Sequence, residues 1–181
     1  MVYDTTLNIT WLADWNYAMT SGFDVDGAMD WTTAKNWANN LVYGGFDDWR
    51  LPTSLNADGT GPCGPGHNCA GSEMGHMFYN NWGASAGFAF STGTNAANLA
   101  LFSNVQPGNY WSGTGYAPHP SNAWFFGTSG GGQSHVDELN ALYAVAVRPG
   151  DVAAPVPEPQ TLALALLALG ATVVARRRRP T

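Results

Sequence analysis

Four side chains in one stretch of the sequence have the chemistry for a metal site or a covalent link: Cys63, His67, Cys69 and His76. The two cysteines lie in a loop rich in glycine and proline, residues 61–71. Two thiols so close together favour a local disulfide if the protein is exported to an oxidising compartment. A metal site built from all four side chains is the alternative, although their spacing matches no standard zinc ribbon.

A second candidate site is the segment Asp24-Val25-Asp26-Gly27. Alternating carboxylates followed by glycine resemble the opening of a calcium loop. The third ligand position and the closing Glu of an EF-hand are missing, and Asx-type turns explain the same residues equally well. Calcium held by Asp24 and Asp26 is therefore the only cofactor that the sequence indicates, and it remains one of two interpretations.

No catalytic residue is expected. None of the four histidines has a Ser, Cys or Asp at a spacing typical of a catalytic triad. The glycines at 130–132 stand between two strand candidates, whereas a phosphate-binding loop joins a strand to a helix.

The elements that must position these side chains are short. Residues 2–12 contain two β-prone runs and predict a hairpin. Apolar residues at helical spacing predict one helix beginning at Asp30 and ending shortly before Gly44, and another from Ser72 to Trp82. After residue 100 the sequence predicts three strands, with a turn at 129–132. The strand candidates are 110–112, 123–126 and 143–148. Two helices followed by short antiparallel strands predict an α+β domain.

Composition supports a folded domain that depends on aromatic side chains. Charged residues make up 11% of the chain and aromatic residues 13%, and all the aromatic residues precede residue 150. Such a composition excludes disorder. Residues 1–150 contain 11 acidic and three basic residues, for a formal charge of −8. That charge argues against nucleic acid as a partner, because phosphate binding needs clustered Lys and Arg.

Six residues recur in short aromatic or basic motifs, and we expect all of them to be structural: Trp49, Arg50, Pro52, Trp111, Trp124 and Arg148. The tryptophans are expected in the core, as is Trp31. Each arginine is expected to form a bidentate carboxylate pair or to cap carbonyl groups, with anion binding as the alternative. Pro52 and Pro149 are expected to end strands.

The C-terminal segment has a different character. Residues 151–160 contain three prolines and predict an extended linker. Residues 161–181 consist mainly of an apolar run, Leu162 to Ala175, followed by Arg176, Arg177, Arg178 and Arg179. As a helix the run would extend over roughly 21 Å, and with snorkelling arginines it predicts a hydrophobic membrane helix. The positive-inside rule places the arginines in the cytoplasm and residues 1–150 outside.

The order Val156-Pro157-Glu158-Pro159, apolar helix and terminal arginines resembles the PEP-CTERM sorting signal of Gram-negative bacteria. This resemblance implies recognition by an exosortase, transient anchoring in the inner membrane, removal of the helix, and delivery to the cell surface or extracellular matrix. Proteins of this kind also carry an N-terminal secretion signal. Met1 is followed directly by Val2-Tyr3-Asp4, so we expect the true start codon to lie upstream; a truncated copy of the protein is the alternative.

Residues 1–150 resemble the Lcl C-terminal domain family. The resemblance rests on five motifs, of which the Trp-Arg-Leu-Pro segment and the Ala-Val-Arg-Pro ending are the most specific parts. In chain order the motifs are Tyr3-Asp4 with Thr10-Trp11-Leu12; Met29-Asp30-Trp31 with Trp37-Ala38; Trp49-Arg50-Leu51-Pro52-Thr53; Tyr110-Trp111-Ser112-Gly113-Thr114; and Ala123-Trp124-Phe125-Phe126 with Ala146-Val147-Arg148-Pro149-Gly150. The family resemblance implies a fold similar to C-type-lectin-like and formylglycine-generating-enzyme-like domains. It also implies an extracellular domain with adhesive or glycan-binding roles.

These observations predict an exported, non-catalytic protein of the cell surface or extracellular matrix. Its expected partners are an exosortase, the membrane through the C-terminal helix, and a polysaccharide or another matrix component. Two alternatives remain open. One is an oxidoreductase of the formylglycine-generating type, in which Cys63 and Cys69 would be a redox pair, although that pair lies in a mid-chain loop. The other is a purely structural biofilm protein.

Overall fold

Two β-sheets organise residues 1–151, the part of the chain that our computed structural model describes. Strands and helices are numbered in chain order. The smaller sheet contains β1 (Val2–Asp4), β2 (Ile9–Trp11) and β8 (Val147–Pro149), in that order and all antiparallel. It therefore joins the beginning and the end of the domain. The predicted hairpin at residues 2–12 is confirmed as β1 and β2.

The larger sheet has five strands, in the order β3 (Ala28–Met29), β7 (Leu142–Tyr143), β4 (Asn109–Gly115), β5 (Asn122–Gly127) and β6 (Gly132–Asp137). Strands β4 and β7 pair in parallel, and the other neighbours are antiparallel. The register of β4 against β5 shifts between Trp111 and Gly115. Such an irregularity bends the strand locally.

Residues 1–151 contain four short α-helices: α1 (Tyr17–Thr20), α2 (Trp31–Asn39), α3 (Glu73–His76) and α4 (Ala96–Leu99). Asp30 caps α2 by accepting the Thr33 N–H, and Ser72 caps α3 by accepting the Gly75 N–H. A side chain at Gly75 would collide with the Cys69 carbonyl oxygen, 1.9 Å from an added Cβ. Helix α3 therefore packs directly on the loop that carries the cysteines.

Tryptophan fills the centre of the domain. Seven of the eight tryptophans are at most 4% exposed: Trp11, Trp15, Trp37, Trp49, Trp82, Trp111 and Trp124. Trp11 stacks on Trp15 with ring centroids 5.4 Å apart, and Trp15 packs against Trp82 at 4.8 Å. Large aromatic side chains bury much area per residue, which suits a domain whose regular elements are short.

The structure confirms the α+β class and corrects several element predictions. The described residues contain four α-helices, whereas the sequence predicts two. The additional helices, α1 and α4, are single turns without a detectable apolar period. The predicted helix over 72–82 is α3 followed by a π-helical turn at Met77–Asn81. The predicted strand over 143–148 is wrong as one unit, because β7 and β8 belong to different sheets. Strand β6 was not predicted, and it pairs with β5 across the predicted turn at 129–132.

Two smaller expectations are also wrong. Trp31 is only partly buried, with its indole N–H donating to the Ser112 carbonyl at 2.7 Å. Pro52 is buried but ends no strand, because the segment before it pairs through the single bridge Arg50–Val147. Its carbonyl instead accepts the Gly113 N–H at 2.8 Å. Pro149 is the last residue of β8, as predicted.

Candidate functional site

Helix α2 separates two concave surfaces. Ala34 and Ala38 face the core, whereas Thr33, Asn36 and Asn40 lie along one flank of the helix. Lys35 and Asn39 lie along the opposite flank, as their spacing along a helix of 3.6 residues per turn requires. Each flank lines a cavity of its own, so α2 is the element that positions both surfaces.

The first surface, which we call the aromatic groove, has a volume of about 510 Å³. Its aromatic residues are Tyr17, Phe23 and Trp37, and its polar residues are Ser21, Thr33, Asn36 and Asn40. Phe23 is 54% exposed, whereas Trp37 is buried. Tyr17 is held in place by an edge-to-face contact with Tyr43, with ring centroids 4.9 Å apart.

The aromatic groove contains no charged lining residue. Within residues 1–151 the side-chain amide of Asn36 makes no hydrogen bond, so it offers donors and an acceptor to the groove. A cavity lined by aromatic faces with a few neutral polar groups can stack an apolar ring face and bond its hydroxyl groups. That combination suits an uncharged sugar.

The second surface, which we call the cationic cleft, has a volume of about 410 Å³. It is lined by Lys35, Asn39, Arg50, Leu51, Thr53, Gly113 and Thr114. The cleft thus contains two of the three basic residues of the described domain. The ammonium group of Lys35 lies 3.8 Å from the centre of the Trp31 ring, an arrangement typical of a cation–π contact.

Arg50 forms the bidentate carboxylate pair that its sequence context predicts. Its two terminal nitrogens donate to the Glu73 carboxylate at 2.8 and 2.6 Å. Glu73 also accepts the Thr53 N–H at 2.7 Å. The hydrogen bonds to Glu73 raise the pKa of Arg50 above its usual value, against the opposing effect of desolvation, so the guanidinium stays charged. The pair ties the Trp-Arg-Leu-Pro segment to α3.

Arg148 forms a similar pair on another face. Its Nε and Nη2 donate to the Asp48 carboxylate at 2.6 and 3.0 Å, and its guanidinium lies 3.8 Å from the centre of the Phe46 ring. The hydrogen bonds from Arg148 lower the pKa of Asp48. Arg148 thus makes the bidentate carboxylate pair that its sequence context predicts.

The predicted disulfide is present. Cys63 and Cys69 are bonded, with their Cα atoms 5.7 Å apart. The side-chain amide of Gln133 donates to the Cys63 carbonyl, and Gly66 pairs with Gln133 through both backbone groups. The disulfide loop is therefore attached to the edge strand β6. With both thiols in the disulfide, the four-ligand metal site is excluded.

Asp24 and Asp26 lie in consecutive Asx-type turns. Asp24 Oδ1 accepts the N–H groups of Asp26 and Gly27 at 3.0 and 2.8 Å, and Asp26 Oδ1 accepts the Ala28 N–H at 3.0 Å. The two backbone N–H groups lower the pKa of Asp24. Residues 1–151 hold no group of three or more His, Cys, Asp or Glu side chains suited to a metal. Calcium at Asp24 and Asp26 remains an untested prediction.

The structural motif residues are placed as follows. Trp49 and Trp111 are 2% and 0% exposed, and the Trp111 indole N–H donates to the Met29 carbonyl at 2.8 Å. Trp124 is also buried, against Tyr116 and His135.

The C-terminal predictions lie outside the described residues. They concern the linker, the predicted membrane helix and the sorting residues Pro157, Glu158, Pro159 and Arg176 to Arg179. Across residues 1–151 the structure contains no helix with the length and apolar character needed to cross a bilayer.

Sequence reasoning missed both surfaces as sites. Tyr17 and Phe23 come from α1 and the turn after it, where no periodic pattern marks them. The polar stripe of Thr33, Asn36 and Asn40 could have been predicted from the sequence, because its spacing follows the period of the predicted helix. Lys35 was recognised only as one of three cations.

Residues 1–151 thus form an α+β domain with an aromatic core and two concave surfaces on either side of one helix. The chain belongs to the Lcl C-terminal domain family, whose model matches residues 1–148. Residues 155–179 match the PEP-CTERM protein-sorting motif. This motif marks the protein for export, C-terminal membrane anchoring and recognition by an exosortase in a Gram-negative bacterium. No curated protein shows a significant match to the chain.

Proposed function

We propose that the protein is a non-catalytic component of the cell surface or extracellular matrix, and that its domain binds a neutral carbohydrate in the aromatic groove. The observation that carries the proposal is the composition of that groove: an exposed Phe23 and a partly buried Tyr17 beside the unengaged amide of Asn36, with no charge in the lining. The sorting motif supports export of the domain, which would place the groove where extracellular polysaccharide can reach it. The disulfide supports a structural role for both cysteines.

The test uses the full-length chain, purified in detergent, on an array of neutral oligosaccharides. Removing an exposed aromatic ring should cost stacking energy without disturbing the core. We expect Phe23→Ala to weaken binding about tenfold, and Asn36→Ala to weaken it further through lost hydrogen bonds.

The matched control is Phe88→Ala, because Phe88 is 61% exposed but does not line the groove. It should bind like the parent. If the parent retains no neutral oligosaccharide, or if Phe23→Ala and Phe88→Ala behave alike, the groove is not a sugar site. A purely structural matrix protein would then be favoured. Copper-dependent thiol oxidation by the reduced protein would instead favour the oxidoreductase.

A further inference from the structure

We infer that the cationic cleft is a second binding site, specific for the carboxylate of an acidic sugar such as a hexuronate. The cleft lies on the opposite flank of α2 from the aromatic groove and shares no lining residue with it. The inference therefore stands on the cleft's own side chains and goes beyond binding of a neutral sugar.

The first argument is charge. Residues 1–151 carry twelve carboxylates but only three basic side chains, and one of the three, Arg148, is paired with Asp48 elsewhere. The other two both line this cleft. Within the described residues Lys35 has no carboxylate within 4.0 Å, and its only recorded partner is the face of Trp31. An aromatic face holds an ammonium group in place without neutralising it.

The second argument concerns Arg50 and Glu73. Both oxygens of Glu73 are already occupied, by the two terminal nitrogens of Arg50 and by the Thr53 N–H. The Arg50 side chain is still 38% exposed, and its Nε makes no hydrogen bond within residues 1–151. The pair therefore fixes the guanidinium in one orientation. Three of its five N–H donors are used, by Glu73 and by the Leu51 carbonyl, so one on Nε and one on Nη2 are left for a ligand.

The third argument is the supply of neutral donors. The hydroxyl groups of Thr53 and Thr114 lie 3.0 Å apart, and each already accepts a backbone N–H, from Leu55 and Ser54. One hydroxyl proton is used between the two threonines, so the other is left to donate. The amide of Asn39 adds further donors at the same cleft. A site rich in donors with an unneutralised ammonium selects an anion.

The fourth argument is size. At about 410 Å³ the cleft is much larger than an inorganic ion and lies within the range of cavities that hold small organic ligands. It has room for a sugar ring attached to the carboxylate. The class of ligand is therefore a carboxylated sugar. A free anion such as sulfate should bind the cleft much more weakly, because it would leave most of the cavity unfilled.

The test compares D-glucuronate, D-glucose and inorganic sulfate by calorimetry on the full-length chain in detergent. The two sugars differ only in the carboxylate. We expect D-glucuronate to bind at least about tenfold more tightly than either other ligand, and added salt to weaken its binding. Equal affinity for D-glucuronate and D-glucose, or no binding of D-glucuronate, would overturn the inference. Sulfate binding as tight as D-glucuronate would show a simple anion site and contradict the sugar class.

Two substitutions at Lys35 locate the site. Lys35→Met keeps the apolar stem and removes the charge, so it should lose at least about tenfold in D-glucuronate affinity while melting like the parent. Lys35→Arg keeps the charge and should retain most of the affinity. Phe23→Ala, in the aromatic groove, should leave D-glucuronate binding unchanged. If Lys35→Met binds like the parent, the acid is bound elsewhere and the inference is wrong.

Discussion

Arg50 and Arg148 make similar bidentate contacts, but their carboxylate partners differ in how exposed they are to solvent. Glu73, the partner of Arg50, has an 11% exposed side chain and also accepts a backbone N–H. Asp48, the partner of Arg148, has a 43% exposed side chain. Burial weakens the competition from water, so the Arg50–Glu73 pair should contribute more to stability.

The first prediction is that Glu73→Ala lowers the free energy of unfolding by about 2 kcal/mol, because it leaves the Arg50 guanidinium and the Thr53 N–H without their shared acceptor. Chemical denaturation measures this loss. Glu138→Ala is the matched control, since the Glu138 side chain makes no hydrogen bond within residues 1–151, and it should change stability by less than about 0.5 kcal/mol. Equal effects of the two variants would contradict a stabilising role for the pair.

The second prediction concerns pH. Because the pKa of Asp48 is lower in the folded state than the usual 3.8, the contribution of its pair with Arg148 is present in full above that value. It is lost as the pH falls through the folded-state pKa. Asp48→Asn should therefore cost up to about 1 kcal/mol at pH 7, and its deficit relative to the parent should shrink below pH 3.8. Denaturant titrations at a series of pH values follow this deficit, and a deficit independent of pH would refute the mechanism.

At the scale of elements, α2 and the disulfide loop determine where side chains meet. Helix α2 contacts β4 with its core-facing side and presents a different surface along each flank. The disulfide loop has little regular structure and depends on its cross-link, on the contacts of Gln133 and on the close packing of Gly75.

The third prediction is that replacing both cysteines by serine lowers the free energy of unfolding by about 2 kcal/mol, as closing so short a loop implies. A thermal melt measures the loss. Non-reducing mass spectrometry of the exported parent should show the peptide with Cys63 and Cys69 lighter by two hydrogens. Two free thiols in exported material would show that the disulfide does not form in the cell.

The fourth prediction is that Trp49→Ala and Trp111→Ala each lower the free energy of unfolding by about 3–5 kcal/mol, since both indoles are buried in the hydrophobic core. That is much of the total stability of a typical domain. Phe88→Ala, at an exposed site, should melt close to the parent. If both tryptophan variants melted like the parent and only ligand binding disappeared, these residues would be a binding platform rather than core.

At the scale of the whole molecule, the acidic domain and the basic terminus differ in charge and composition. Residues 1–150 carry a formal charge of −8, which keeps the domain soluble and unsuited to anionic surfaces except at the cationic cleft. The apolar run and its four arginines have the composition of a membrane anchor.

The fifth prediction is that the full chain, fused to a secretion signal and expressed in a host without exosortase, fractionates with membranes and is digested by protease added to the periplasm. The apolar run should insert and the arginines should remain cytoplasmic. The same fusion ending at Asp151 is the control and should be recovered in the soluble periplasmic fraction. Recovery of the full chain as soluble protein would contradict the anchoring role of residues 161–181.

Much of this protein follows from local sequence alone. The caps at Asp30 and Ser72, the β1–β2 hairpin and the disulfide are set by residues within ten positions of one another, so turn, cap and spacing chemistry predicts them. The sequence predicts that Arg50 pairs with a carboxylate or caps carbonyl groups, because a guanidinium beside apolar residues must find an acceptor. Its identity as Glu73 was not predictable.

Tertiary structure alone decided the topology and both concave surfaces. Residues 143–148 look like one strand, yet β7 pairs with β3 and β4 in the larger sheet, whereas β8 pairs with β2 in the smaller sheet. These pairing partners lie far from residues 142–149 in the sequence, so no local pattern indicates them. The aromatic groove joins α1 to α2, and the cationic cleft joins Lys35, Arg50 and Thr114 from three separate segments. Local patterns encode which face of an element is apolar, but only packing of distant segments determines which polar side chains share a cavity.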